Sequence, residues 1–94
     1  MHVVIWKKRA MRDLVRIGRF IAKDSPASAR QVLGLIEDRV RTLATYPNLG
    51  HVGRKAGTLE LVVHEHYVVI YRSVAARVEI LNIKHTSRKW PPTR

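Results

Sequence analysis

Ninety-four residues give room for one domain, expected to span 1–94, and 46% hydrophobic with 27% charged residues is globular and not disordered composition. The chain has no cysteine, which excludes a disulfide scaffold and a thiolate metal site and agrees with a reducing compartment such as the cytoplasm. Eighteen Lys and Arg against seven Asp and Glu leave a formal net charge of +11, a field that attracts nucleic acid, a nucleoprotein machine or an acidic protein.

That charge is spread along the chain: residues 1–47 carry ten bases and four acids, and residues 48–94 carry eight and three. His2–Trp6 is a short β-branched run that predicts a first strand. From Arg9 the period changes. Ala10, Leu14, Ile17 and Ile21 recur at helical spacing, with Arg12, Arg16, Arg19 and Lys23 off the apolar stripe. Asp24-Ser25-Pro26 ends that helix and starts another, with Ser25 as N-cap and Pro26 in the first turn. Ala29, Val32, Leu33, Ile36, Val40 and Leu43 predict a second helix from about Pro26 to Thr45, which pairs with the first as a hairpin. No basic helix with a bulky aromatic apolar face is evident, so a membrane surface is not an expected partner. No apolar run reaches the ~18 residues of a membrane span either.

Tyr46–Gly50 is turn chemistry, and His51–Gly57 is a glycine-rich basic loop. Beyond it the period is two. Leu59, Leu61 and Val63 alternate along one strand; His64-Glu65-His66 turns; Tyr67–Tyr71 is a near-continuous apolar run that predicts a central strand. Ser73–Ala76 turns again, and Val78, Ile80, Leu81 and Ile83 predict a last strand ending near Lys84, followed by a basic tail with Pro91-Pro92. The order is β-α-α-β-β-β. It predicts an α+β fold, a helical hairpin packed on a small antiparallel sheet.

Chemistry is sparse. His64 and His66 lack a third ligand at a diagnostic metal spacing, so they read as solvated turn histidines and no cofactor is expected. No serine sits on a glycine elbow, and the glycines of residues 50–57 do not fit a phosphate loop between strand and helix. A basic constellation remains: Arg54 and Lys55 in the loop, Arg72 ending the third strand, Lys84 and His85 ending the fourth, then Arg88, Lys89 and Trp90. Meander geometry places these groups at two rims of the sheet. Were the chain to cleave RNA without metal, His85 would be acid or base and Arg54, Arg72 or Arg88 would hold phosphate, making these four the catalytic candidates. Tyr67 or Trp90 would stack a base.

Several stretches together carry a family resemblance. Val4-Ile5-Trp6 followed by Arg9-Ala10-Met11-Arg12-Asp13-Leu14, then Leu43-Ala44-Thr45-Tyr46-Pro47-Asn48-Leu49-Gly50, Gly57-Thr58-Leu59-Glu60-Leu61, Tyr67 to Arg72, and Val78–Leu81 ending at His85 with Trp90-Pro91 resemble the ParE/RelE toxin superfamily over essentially the whole chain. The resemblance implies the toxin half of a bacterial or plasmid toxin–antitoxin pair, held inactive by an acidic antitoxin. Members resembling RelE cut messenger RNA on the ribosome and carry an arginine after the tyrosine that opens the third strand; here that position is Val68. Members resembling ParE poison DNA gyrase by binding, and the long hairpin with its Tyr-Pro-x-Leu-Gly turn is more similar to that branch. Leu59 departs from the arginine often found in the "GTREL" segment. A metal-independent, ribosome-dependent endoribonuclease and a non-toxic nucleic-acid-binding module are the alternatives.

Overall fold

The computed structural model describes residues 1–86. Its elements are β1 (Val3–Trp6), α1 (Lys8–Ala22), α2 (Pro26–Arg41), a 3₁₀ turn (Thr42–Ala44), β2 (His51–Val52), β3 (Leu59–His64), β4 (Tyr67–Val74) and β5 (Arg77–His85). Ser25 caps α2 as the sequence predicts. Its hydroxyl oxygen accepts the Ser28 N–H at 3.1 Å, a contact worth about 1 kcal/mol. The expected second helix tightens to 3₁₀ geometry after Arg41, because the last carbonyls of a helix are commonly satisfied by shorter-range bonds.

The strands form one sheet in the order β1-β5-β4-β3-β2. β2 to β5 are antiparallel, whereas β1 runs parallel to β5 with Val4 opposite Val78. The α+β class therefore holds, but the sheet is mixed and not antiparallel throughout. The meander leaves two edges; two-residue β2, within the stretch read as loop, takes the β3 edge, and β1 takes the β5 edge. Parallel pairing needs a long connection, and the helical hairpin is part of it. β4 also extends beyond the expected turn, since Val74 pairs with Arg77 and leaves only Ala75-Ala76 between strands.

The core lies between the hairpin and one face of the sheet. Ile36, Val40 and Leu43 meet Leu61, Val63, Val69, Tyr71, Val78 and Ile80, with Leu14, Ile17 and Ile21 of α1 packed against them. Burying each such side chain stabilises the fold by about 1.5–3 kcal/mol. Tyr71 is fully buried; its hydroxyl donates to the Pro47 carbonyl at 2.8 Å and accepts the Gly50 N–H at 2.9 Å, so it pins the Tyr46–Gly50 turn. Burial raises the Tyr71 pKa above the ordinary phenol range, with the Gly50 hydrogen bond opposing. A side chain at 50 would lie 2.7 Å from the Glu60 carbonyl oxygen and 2.9 Å from the Tyr71 ring, which is why the turn needs glycine there.

Two long-range contacts fix the rest. The β4–β5 register slips between Ile70 and Tyr71, leaving Leu81 as an extra residue. Beside this bulge, the buried Asp13 carboxylate of α1 accepts the Ile83 N–H at 2.9 Å while its other oxygen faces Arg16 at 3.2 Å. At the opposite edge β2 stops after pairing with Leu59 and Glu60, and Arg39 reaches from α2 to donate to the Val62 carbonyl at 3.2 Å. On α1 the band of Arg12, Arg16, Arg19 and Lys23 is exposed. So is Phe20, whose ring lies 5.9 Å from the Lys23 ammonium. The basic helix thus does present an aromatic outward, which the sequence pattern did not reveal. Among the described residues, no helix is long and apolar enough to cross a membrane.

A basic face on the open side of the sheet

Period-two alternation sends Leu61, Val63, Val69 and Tyr71 toward the helices and Glu60, Val62, Val68 and Ile70 toward the other face. Lys84 stands opposite Val68 on that open face. The chain then folds back over it. β2 hairpins along β3 with His51 opposite Glu60, and the Arg54 N–H donates to the Glu60 carboxylate at 3.1 Å while the Arg54 Nε lies 3.7 Å from its second oxygen. Glu60 is nearly inaccessible; its charge is spent on fixing the loop. The result is a groove of about 270 Å³ whose cations are Arg9, Arg54, Lys55 and Lys84, with Ile70 and Leu81 on its floor. A second recess shares Arg54 and Lys84 and adds His51 and His85.

Of the residues singled out in the sequence, Arg54, Lys55, Lys84 and His85 therefore share one continuous basic surface. Arg72 does not belong to it. Arg72 donates through Nε to Glu79 at 2.6 Å, and Arg77 approaches the other Glu79 oxygen at 3.4 Å. The Arg72 hydrogen bond holds the Glu79 carboxyl below the ordinary carboxylate range, against its burial, with the charges of Arg72, Lys7 and Arg77 adding to the effect. Arg72 is occupied by a structural ion pair at the far rim. The loop position explains the split: read as an open loop, Arg54 belongs beside the end of β4, but the fold-back carries it to Lys84. Arg88, Lys89 and Trp90 lie outside the described residues.

Tyr67 cannot stack a base, being buried in the core. Its ring meets His85 edge-on at 5.3 Å between centroids, and His66 stacks on His85 at 5.5 Å with 11° between planes. His64 accepts the His66 N–H at 3.1 Å, consistent with a turn role. Among the described residues, no group of three or more His, Cys, Asp or Glu side chains is placed to hold a metal ion. Val68 is buried and brings no charge to the groove. Sequence reasoning missed Arg9 and His51. Arg9 sits at the start of α1, and only the β1–β5 pairing brings it to the groove; the two-residue β2 that places His51 is too short to produce a period. What this surface can do chemically is bind closely spaced anionic groups, with Arg as the bidentate partner.

Comparison with known proteins agrees over nearly the full length. Residues 4–90 match the family model described as the ParE toxin of the type II toxin–antitoxin system parDE. The toxin Y4kP of Sinorhizobium fredii is 41% identical over 87 residues, covering 92% of this chain and 90% of that protein. Toxin RelE2 of Caulobacter vibrioides is 34% identical, covering 94% and 99%. Among solved structures, the chromosomal ParDE TA system from P. aeruginosa superposes with a TM-score of 0.78 at 20% identity, over 90% of this chain and 96% of that one. At that identity the likeness speaks for the fold.

Proposed function

We propose that this chain, which belongs to the ParE toxin family of type II toxin–antitoxin systems, arrests growth in the cytoplasm by binding rather than cutting. Its basic groove seats on DNA gyrase engaged with DNA, stalling replication, and a cognate acidic antitoxin neutralises it. The observation that carries this reading is the groove itself. Arg9, Arg54, Lys55 and Lys84 converge on an open sheet face, while the strand position at which the nuclease branch places an arginine holds buried Val68. Such a surface supplies electrostatic attraction to a nucleoprotein target without a nucleophile or a positioned acid–base pair.

One observation favours a second reading. His85 shares a recess with Arg54 and Lys84, so a group able to move a proton stands beside cations able to hold a phosphate, as metal-independent RNA cleavage on the ribosome requires. Expression of the chain alone from a tight promoter separates the readings. Early induction of the DNA-damage response with translation intact supports gyrase poisoning. Immediate translation arrest, with transcripts cut to 2′,3′-cyclic phosphate ends and rescued by His85→Ala or Arg88→Ala, supports the nuclease. Unperturbed growth removes both and leaves a basic nucleic-acid-binding module, whose affinity for DNA falls steeply with salt.

A further inference from the structure

The open face of the sheet carries its charge beyond the groove. Alternation along β4 and β5 puts Arg72, Arg77 and Glu79 on the same face as Ile70, since Tyr71, Val78 and Ile80 turn into the core. At that far rim Arg72 and Arg77 hold Glu79, and Lys7 lies close enough to act on its charge. Three cations stand there around one carboxylate. In the groove Arg9, Arg54, Lys55 and Lys84 likewise outnumber Glu60, which Arg54 holds. Lys7 and Arg9 flank the start of α1, two residues apart, and join the two clusters. The seven cations form one track beside β5, roughly 20 Å long from Arg77 to Lys84 at about 3.3 Å per residue. The other acids lie in the helical hairpin (Asp13, Asp24, Glu37, Asp38) or in the β3–β4 turn (Glu65).

We infer that this track binds the sugar-phosphate backbone of duplex DNA. The contact rests on the gyrase reading above and deepens it, because it makes the DNA, and not the gyrase protein, the component that the open face touches. Charge complementarity selects a polyanion, and a duplex carries one negative charge per about 1.7 Å of its axis, dense enough to meet the track at several points at once. Single-strand binding leans on bases stacked against aromatic rings, and the tyrosines of these strands, Tyr67 and Tyr71, are both turned into the core. An acidic peptide needs an apolar anchor to hold it once salt screens its charges, and the floor offers little, since Val68 and Ile70 are buried.

The ion pairs of the face suit this use. Arg72 and Arg77 both reach Glu79 through Nε, so the terminal amino groups of each guanidinium remain as donors for phosphate oxygens. A side chain already fixed by a carboxylate loses less freedom when a ligand arrives. The exposed row Arg12, Arg16, Arg19 and Lys23 belongs to the helix layer, which gives an internal comparison of equal charge outside the track.

Fluorescence anisotropy with the full chain and a labelled duplex of about two helical turns, read over a series of salt concentrations, tests this. Three double variants each remove two positive charges: Arg9→Gln/Lys55→Gln in the groove, Lys7→Gln/Arg77→Gln at the rim, and Arg12→Gln/Arg19→Gln on α1. The groove and rim variants are expected to weaken duplex binding tenfold or more, and each to flatten the log–log salt slope by about one to two, at about 0.9 per phosphate contact. The α1 variant should change affinity less than threefold. All six side chains are exposed and Arg72 still holds Glu79 in the rim variant, so all three should melt as the wild type does. Equal losses in the three variants would show a response to net charge alone and overturn the track. A rim variant that binds as the wild type does would confine the contact to the groove and overturn it too. Tighter binding to the separated single strand, or to poly-glutamate, overturns the choice of duplex DNA. If the chain binds no DNA yet induces the DNA-damage response on expression, the track falls and the gyrase reading stands; duplex binding with the expected variant pattern but no such response keeps the track and removes that reading.

Discussion

At Asp13 one carboxylate joins two elements 70 residues apart in the chain, accepting the Ile83 N–H just past the β5 bulge, beyond the Arg77–Ile80 stretch that β1 pairs with. Asp13→Ala orphans a buried N–H, so it should cost about 1–3 kcal/mol in urea unfolding. Asp13→Asn keeps an acceptor oxygen and should cost less. If both cost the same, the hydrogen bond is not what matters. Asp13 was visible in the sequence as part of a recurring motif, but its partner was not, because a bulge leaves no mark on hydrophobic periodicity. Glu79 makes a pH-dependent counterpart. Its carboxyl titrates below its unfolded value because Arg72 bonds the charged form, so its contribution is present above the unfolded pKa and lost as pH falls through the folded one. The melting-temperature gap between wild type and Glu79→Gln is therefore expected to be wide at neutral pH and to narrow as pH falls below the ordinary glutamate range; a constant gap would point to packing alone.

Between elements, the tightest demand falls on the Ala75-Ala76 connection. Ala75 adopts a φ of 55°, a left-handed conformation that disfavours any residue with a Cβ by about 1 kcal/mol. Ala75→Gly relieves that strain and gives some of the gain back as unfolded-state entropy. A net stabilisation of roughly 0.5 kcal/mol is expected from denaturant midpoints, and a loss would show that the turn tolerates alanine without strain. Most of the element order was legible: the switch from helical to period-two spacing after Tyr46, the Ser25 cap and the apolar β4 all follow from local pattern. The parallel seat of β1 and the fold-back of β2 were not legible, since both depend on which sheet edge remains free. The candidate groove inherits that limit. Arg54, Lys55, Lys84 and His85 stood out by type and charge, but their meeting, and the exclusion of Arg72, are set by two-residue β2 and by Glu60 and Glu79, each consumed by an arginine.

For the molecule as a whole, +11 on 94 residues is a self-repelling charge that the compact state must tolerate. Raising monovalent salt from about 0.01 to 0.2 M shortens the screening length from roughly 30 Å to under 10 Å. The isolated chain should therefore melt several degrees higher, since 1 kcal/mol is worth about 4–8 °C at this size. A flat response would mean that ion pairs such as Arg72–Glu79 and Arg54–Glu60 already balance the field. An acidic partner bound to the chain would do locally what salt does globally.

The guanidinium that Arg39 lays against the Val62 carbonyl bears on how such a chain survives at high concentration. β2 shields only the first two residues of β3, and the rest of that margin would otherwise be a template on which a neighbouring molecule could nucleate a fibre. A positive group planted there occupies the acceptor and turns away other cationic chains, so colloidal stability is guarded at a margin where the sheet is short of a strand.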